Sequence, residues 1–208
     1  MAELELEPRE LTTLAALRDE ARGCQRCPLY QNATQTVFGE GPDHAPLMLV
    51  GEQPGDQEDL QGHPFVGPAG KVLDRAMADA GIDRKRVYVT NAVKHFKNEP
   101  RGKRRLHKRP NAYEVGRCKW WLDGELTLVN PKLVIALGAT AALALTGRAV
   151  SIGRERDHPI TLPDGRTAVI TTHPSALLRM RSDAEREEGM KLLVRDLTNA
   201  AARLAAKK

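Results

Sequence analysis

Three groups of polar side chains in this sequence stand directly after apolar runs. Glu52, Gln53 and Asp56 follow Leu47-Met48-Leu49-Val50-Gly51, Asn91 closes Val87-Tyr88-Val89-Thr90, and His173 with Ser175 follows Thr167-Ala168-Val169-Ile170-Thr171-Thr172. If the runs are parallel strands, their carboxyl ends share one edge of a sheet and the three groups converge there. Taken singly, each group is an ordinary start of a turn. Together with Phe65, framed by Gly62, Pro64, Gly67 and Pro68, they outline a pocket. A flat ring for stacking, a carboxamide that both donates and accepts, and an imidazole able to donate suit a planar heterocycle such as a nucleobase.

Other residues carry chemistry of a different kind. Between Lys94 and Arg109 the chain is crowded with Lys and Arg against the single acid Glu99, and it contains His107. Such a block solvates a loop or faces a polyanion, nucleic acid first among them. Neighbouring cations disfavour an imidazolium, so His107 reads as a neutral ring, a nucleophile or a base. Pro68-Ala69-Gly70-Lys71 opens a helix whose free N–H groups suit a phosphate, without the P-loop pattern. Leu177-Leu178-Arg179 reads as an apolar tip beside a cation, the kind of wedge that fills a vacated base stack, or else as the start of a core helix. Cys24 and Cys27 form a C-x-x-C with no strand leading into it, and Cys118 stands far along the chain, so metal binding is favoured over a redox pair.

The elements that must position these groups are legible as periodicity. Residues 11–22 read as a helix with Leu11, Leu14, Leu17 and Ala21 on one face, and residues 29–44 as irregular. The apolar run at Leu47 is a strand buried on both faces, followed by a long loop rich in Gly, Pro and acid. A helix then starts at Ala69, with Val72, Leu73, Ala76, Met77 and Ala80 on one face and Gly81 as its stop. Residues 87–93 are a second strand. Residues 94–110 read as a loop, because Pro100, Gly102 and Pro110 interrupt them and no period is sustained. A helix over 112–129 turns Val115, Cys118, Leu122, Leu126 and Val129 inward, and a strand over 132–138 and a helix over 139–145 follow. After the strand at 167–172, a last helix from about Asp183 carries Met190, Leu193, Leu197 and Leu204. This alternation predicts α/β architecture: a single domain over 1–208 with a short, mostly parallel β-sheet flanked by helices. The segment 1–44 would hold the N-terminal helix and the C-x-x-C.

With 208 residues, 41% hydrophobic and 28% charged, the chain is long enough for a real core and has the composition of a water-soluble protein. No run reaches a membrane span and the acidic start has no apolar signal core, so the expectation is a cytoplasmic protein with no membrane partner.

These residues resemble the uracil-DNA glycosylase superfamily. The run from Gly51 to Asp59, with Gly62, Pro64-Phe65-Val66-Gly67 and Ala69-Gly70, is similar to the first signature of its iron–sulfur branch. His173-Pro174-Ser175 resembles the uracil-binding motif, and Thr90-Asn91 the pocket asparagine. The resemblance spans the chain from about Cys24 to the last helix. It implies a [4Fe–4S] cluster held by Cys24, Cys27, Cys118 and a fourth ligand, whose position is taken here by His95. Imidazole can replace thiolate on a cluster iron, and zinc on three cysteines and a histidine is the physical alternative. The insertion Gly102-Lys103-Arg104-Arg105-Leu106-His107-Lys108 resembles uracil-DNA glycosylase family X, whose members become joined to DNA through the loop histidine. The resemblance therefore implies uracil excision from DNA; single-stranded uracil DNA is the expected partner and a monomer the expected state. Phe65, Asn91, Gln53, Ser175, Gly70 and Arg179 would bind substrate, and His107, Glu52, His173 and Asp56 would be catalytic. A turnover glycosylase and a non-catalytic iron–sulfur DNA-binding protein are the rival expectations.

Overall fold

The computed structural model describes residues 12–102 and 104–206; Leu11, expected on the first helix, and Lys103, in the basic segment, lie outside them. In chain order, α1 (Leu14–Ala21) is capped by the Thr13 hydroxyl, which accepts from the Ala16 N–H at 3.1 Å. Strand β1 (Leu47–Gly51) leads to a short helix α2 (Asp56–Gln61) and then to α3 (Pro68–Asp79), which starts on a proline. β2 (Val87–Asn91) is followed by β3 (Asn98–Arg101), β4 (Arg104–His107) and α4 (Ala112–Val129). β5 (Leu133–Leu137) and α5 (Ala139–Thr146) come next, then α6 (Ile152–Glu155), β6 (Ile160–Thr161), β7 (Thr167–Thr171), α7 (Ser175–Leu178) and α8 (Asp183–Ala206).

The main sheet has the order β2-β1-β5-β7-β6, parallel except for the edge strand β6. β1 is buried at every position because helices cover both faces. Alternation divides its side chains cleanly. Met48 and Val50 join Tyr88, Val134 and Ile170 against α1, α4 and α5, while Leu47 and Leu49 join Val87, Ile135 and Val169 against α3 and α8. Leu14, Leu17 and Ala21 of α1, and all five inward residues expected on α4, lie in the first of these layers. The α/β architecture is thus the expected one. No helix among the described residues is long and apolar enough to cross a membrane.

The basic segment departs from the expectation of a loop. β3 and β4 form an antiparallel hairpin, with Asn98 opposite His107 and Arg101 opposite Arg104, turning at Gly102, whose φ of 60° is a left-handed value. Alternating hydrophobicity does not mark it because its two strands are largely exposed. The long loop after β1 likewise contains an unforeseen helix, α2, whose Glu58 accepts from the N–H groups of Gly55 at 3.1 Å and Gly67 at 2.8 Å and so ties the loop's two ends together.

Beneath the end of β2 lies a fully buried ion pair. The Lys94 ammonium donates to Glu125 Oε2 at 2.5 Å, to Thr90 Oγ1 at 2.6 Å and to the Asn91 carbonyl at 2.8 Å. Glu125 also accepts from Tyr88, Thr90 and the Gly39 N–H. Burial holds the Tyr88 phenol far above its ordinary pKa, so its hydroxyl remains a donor. Removing one partner leaves an uncompensated charge in the core. Lys94→Met is therefore expected to lower stability by about 3–5 kcal/mol, and Lys94→Met with Glu125→Leu by less, as read from denaturant midpoints. A double variant no more stable than the single one would show that the pair is not the unit of stability.

Candidate active site

The carboxyl ends of β1, β2, β5 and β7 open on a cavity of about 740 Å³. Its walls include Glu52, Asp56, Phe65, Asn91, His107, Thr140, His173, Ser175 and Arg179. Most of the residues singled out from the sequence thus line one space. Among the residues expected to be catalytic or to bind substrate, the exceptions are Gln53 and Gly70, and both have structural work to do.

Phe65 has a φ of 58°, unusual for any residue with a side chain, and its ring turns into the sheet edge. That backbone needs Gly70: a Cβ there would stand 1.7 Å from the Phe65 carbonyl oxygen. Gly51 keeps the pocket floor clear, since a Cβ at that position would lie 2.3 Å from Asn91 Oδ1 and 2.6 Å from Phe65 Cζ. Asn91 itself is buried and opposite Gly51 in the parallel register. The Phe65 ring stacks near the His173 ring, centroids 6.2 Å apart at 27°.

His173 is held by its own turn. The Ser175 N–H donates to its Nδ1 at 3.1 Å, and Ser175 Oγ lies 2.8 Å from the same atom. Nδ1 is therefore an acceptor, which leaves the proton of a neutral ring on Nε2. Burial, opposed by the Glu52 charge, pushes the His173 pKa down to about 4, so the ring is a neutral donor at physiological pH.

Glu52 is the junction of the site. Its Oε1 lies 3.3 Å from His107 Nε2, and its Oε2 accepts from the Thr140 hydroxyl. Arg109 Nε stands 3.9 Å from Oε2 and donates to Thr140 Oγ1 at 3.2 Å. Burial raises the Glu52 pKa, but the hydrogen bonds from His107 and Thr140 outweigh it and hold the carboxyl below its usual range. Thr140 and Arg109 carry no sequence signal of this role: one begins an alanine-rich helix, the other is one cation among many.

His107 reaches this place because the hairpin is latched at both ends. Arg105 donates to Asp56 Oδ1 at 2.8 Å and to the fully buried Asp59 at 2.5 Å, and its guanidinium lies over Phe96. The Gln53 amide accepts from the Lys97 N–H at 3.1 Å and donates to the carbonyls of Lys97 and Lys108 at 3.2 and 3.1 Å. Gln53, expected among the substrate contacts, thus has its side chain committed to the hairpin base, and Asp56 lines the cavity while holding Arg105. The apolar tip divides: Leu177 is core and only Leu178, 47% exposed, faces outward beside Arg179.

The sequence profile of the uracil DNA glycosylase superfamily matches residues 38–198. The chain is 39% identical over 166 residues to the type-4 uracil-DNA glycosylase of Thermotoga maritima, covering 79% of this chain and 83% of that protein. It is 36% identical over 176 residues to the type-4 uracil-DNA glycosylase of Pyrobaculum aerophilum, covering 80% and 85%. The chain belongs to the uracil DNA glycosylase superfamily.

The remaining residues singled out from the sequence of this superfamily member lie outside the pocket lining. Cys24, Cys27 and Cys118 are buried in the layer formed by α1 and α4. Trp121 Nε1–H donates to Cys24 Sγ at 3.1 Å and the Lys94 N–H to Cys118 Sγ at 3.1 Å, contacts suited to thiolates. Burial pushes the Cys118 thiol up to about 12, so it needs a cationic centre to ionise. His95 is buried beside Lys94, its pKa pushed down by burial to about 4, and is a neutral nitrogen donor. Three sulfur donors and one imidazole, sheltered from water, are the ligand types that soft metals take. Among the described residues, no three His, Cys, Asp or Glu side chains gather closely enough to hold a single ion.

The His173 environment has a consequence for stability. Folded, the ring takes a proton only near pH 4; unfolded, it does so near 6.5. Between those values the unfolded chain holds more protons, so stability falls as pH drops through that window. His173→Gln is expected to flatten the fall in melting temperature between pH 7 and 4. An unaltered slope would show that His173 titrates alike in both states.

Proposed function

We propose that this protein is a uracil-DNA glycosylase that excises uracil and becomes bonded to the abasic sugar through His107. The excision half is supported by family membership and by a pocket with the stacking face, carboxamide and neutral imidazole that uracil requires. The observation that carries the covalent half is the approach of His107 Nε2 to within 3.3 Å of Glu52 Oε1, in the same cavity as Phe65, Asn91 and His173.

The chemistry follows from these groups. The cations of the hairpin attract DNA phosphates without choosing a sequence, and Leu178 fills the stack left by the extruded nucleotide. Uracil lies on Phe65, Asn91 reads its polar edge, and His173 Nε2–H donates to a carbonyl oxygen. The bond between C1′ and the base breaks, its electron pair leaves on uracil, and the His173 donor stabilises that charge. The sugar is left as an oxocarbenium ion. The His107 lone pair forms a bond to C1′, and Glu52 stabilises the resulting imidazolium and takes its proton. Neutral imidazole on C1′ is a poor leaving group, so each molecule acts once.

Uracil release and sugar capture are separate steps, which makes the proposal testable. His107→Ser is expected to lose the denaturation-resistant complex with single-stranded uracil DNA while water completes repeated turnovers, yielding more than one equivalent of uracil. A boiling-stable complex in that variant, or wild-type protein that releases many equivalents, would favour the turnover reading.

Cys24, Cys27, His95 and Cys118 would hold a [4Fe–4S] cluster, which when bound supplies a rigid tie between the N-terminal segment, the chain after β2 and α4. Cys118→Ser is expected to lose brown colour and thermal stability together. Stoichiometric zinc without iron or sulfide in anaerobically purified protein would overturn the assignment.

A further inference from the structure

We propose that Thr140 is a positioning residue for Glu52: it holds one carboxylate oxygen so that the other faces His107, and thereby sets how the cleaved sugar divides between histidine and water. The partition rests on the covalent reading above; the positioning of Glu52 does not.

The inference comes from where the strands put these residues. β1 and β5 are parallel neighbours, with Leu47 opposite Leu133 and Val50 opposite Ala136. The chain leaves β1 toward β2 on one side, while β5 lies on the other, so the crevice between their carboxyl ends is the topological switch point of the sheet. Glu52 leaves one strand at this crevice and Thr140, the second residue of α5, leaves the other. Their hydrogen bond is the polar link across it. Gly138, at a φ of 92°, makes the turn that brings α5 in, and a Cβ there would come within 3.0 Å of His173 Cβ. The position of Thr140 is therefore fixed by the backbone of the site.

The hydroxyl is fully used. Its proton goes to Glu52 Oε2, and it accepts from Arg109 Nε at 3.2 Å. Donation from Arg109 polarises the O–H and strengthens its bond to the carboxylate. Arg109 cannot do this work alone, because its side chain is 66% exposed and 3.9 Å from Glu52, where water screens it. Thr140 is buried. With Oε2 so held, rotation of the carboxylate is blocked and Oε1 stays toward His107. The depressed Glu52 pKa, to which the Thr140 bond contributes, is consistent with this role.

Thr140→Val removes the hydroxyl at nearly constant shape, Thr140→Ser retains it, and Thr140→Ala removes it without bulk should the valine variant fold poorly. Two measurements are made on purified protein: the pH midpoint of the Glu52 carboxyl carbon by NMR, and the ratio of denaturation-resistant adduct to free uracil in a single turnover of a single-stranded uracil oligonucleotide. Loss of a hydrogen bond to the charged form should raise the midpoint by about one pH unit and cut the ratio about tenfold. Val and Ala should agree, and Ser should restore both values. Wild-type values in Val and Ala would overturn the proposal, as would a serine variant that behaves like valine, since shape would then be the cause. Wild-type protein that forms no adduct would overturn the covalent reading instead, while the carboxyl midpoint still judges Thr140.

Discussion

The Lys94–Glu125 pair is the constraint from which the rest of the molecule can be followed. Both side chains are 0% exposed, and taking two charges out of water costs several kcal/mol for each. The structure offsets that cost by satisfying the polar atoms: all three ammonium protons have acceptors, and the carboxylate accepts from three further groups, the Tyr88 and Thr90 hydroxyls and the Gly39 N–H. The acceptors include the backbone of Asn91, while the Lys94 N–H goes to Cys118. A single residue thus ties the pocket end of β2 to α4, at both Glu125 and Cys118. Apolar side chains of equal volume would fill the space, but they would not fix the orientation of the Asn91 peptide.

The hairpin depends on a different kind of force. Its strands bury little apolar surface, so its place over the cavity is set by polar contacts made by long side chains. The Arg105 latch is effective because one of its acceptors, Asp59, is fully buried and also accepts from the Thr34 N–H; a pair with one desolvated member is screened less than a surface bridge. Gln53 adds three amide hydrogen bonds at the hairpin's base. The pocket is therefore rigid by packing and the hairpin by charge, and salt acts on the second more than on the first.

How legible this was from residue types varies with the force involved. Strands such as Leu47–Val50 and the inward face of α4 announce themselves because burial is periodic and local. The polar residues past the strand ends could be placed on one edge from topology alone. The hairpin could not, because what orders it is the reach of Arg105 and Gln53 to partners more than forty positions away, and sequence spacing does not record such contacts. For the same reason the bonds of the Gln53 side chain to the hairpin base leave no mark in the sequence. Leu177 and Leu178 look alike in the sequence, and only the packing of α7 decides that one is core and the other surface. In the sequence Gly70 marks a helix N-terminus, whereas in the fold its necessity is the left-handed Phe65 backbone pressed against it.

Glu52 is where the two kinds of structure meet. It leaves β1, an interior strand of the rigid sheet, and its two oxygens face opposite ways: one toward Thr140 on the helix after the neighbouring strand, the other toward His107 on the hairpin. A carboxylate anchored at one oxygen has a single direction left for the other. The hairpin then needs only to bring an imidazole within reach for the pair to be aligned. Precision at His107 is thereby derived from the sheet through Glu52, and the exposed hairpin does not have to supply it unaided. This division suits a site in which DNA must enter between the two parts, since the groups that hold the base stay fixed while the group that meets the sugar is carried on the element with fewer buried contacts.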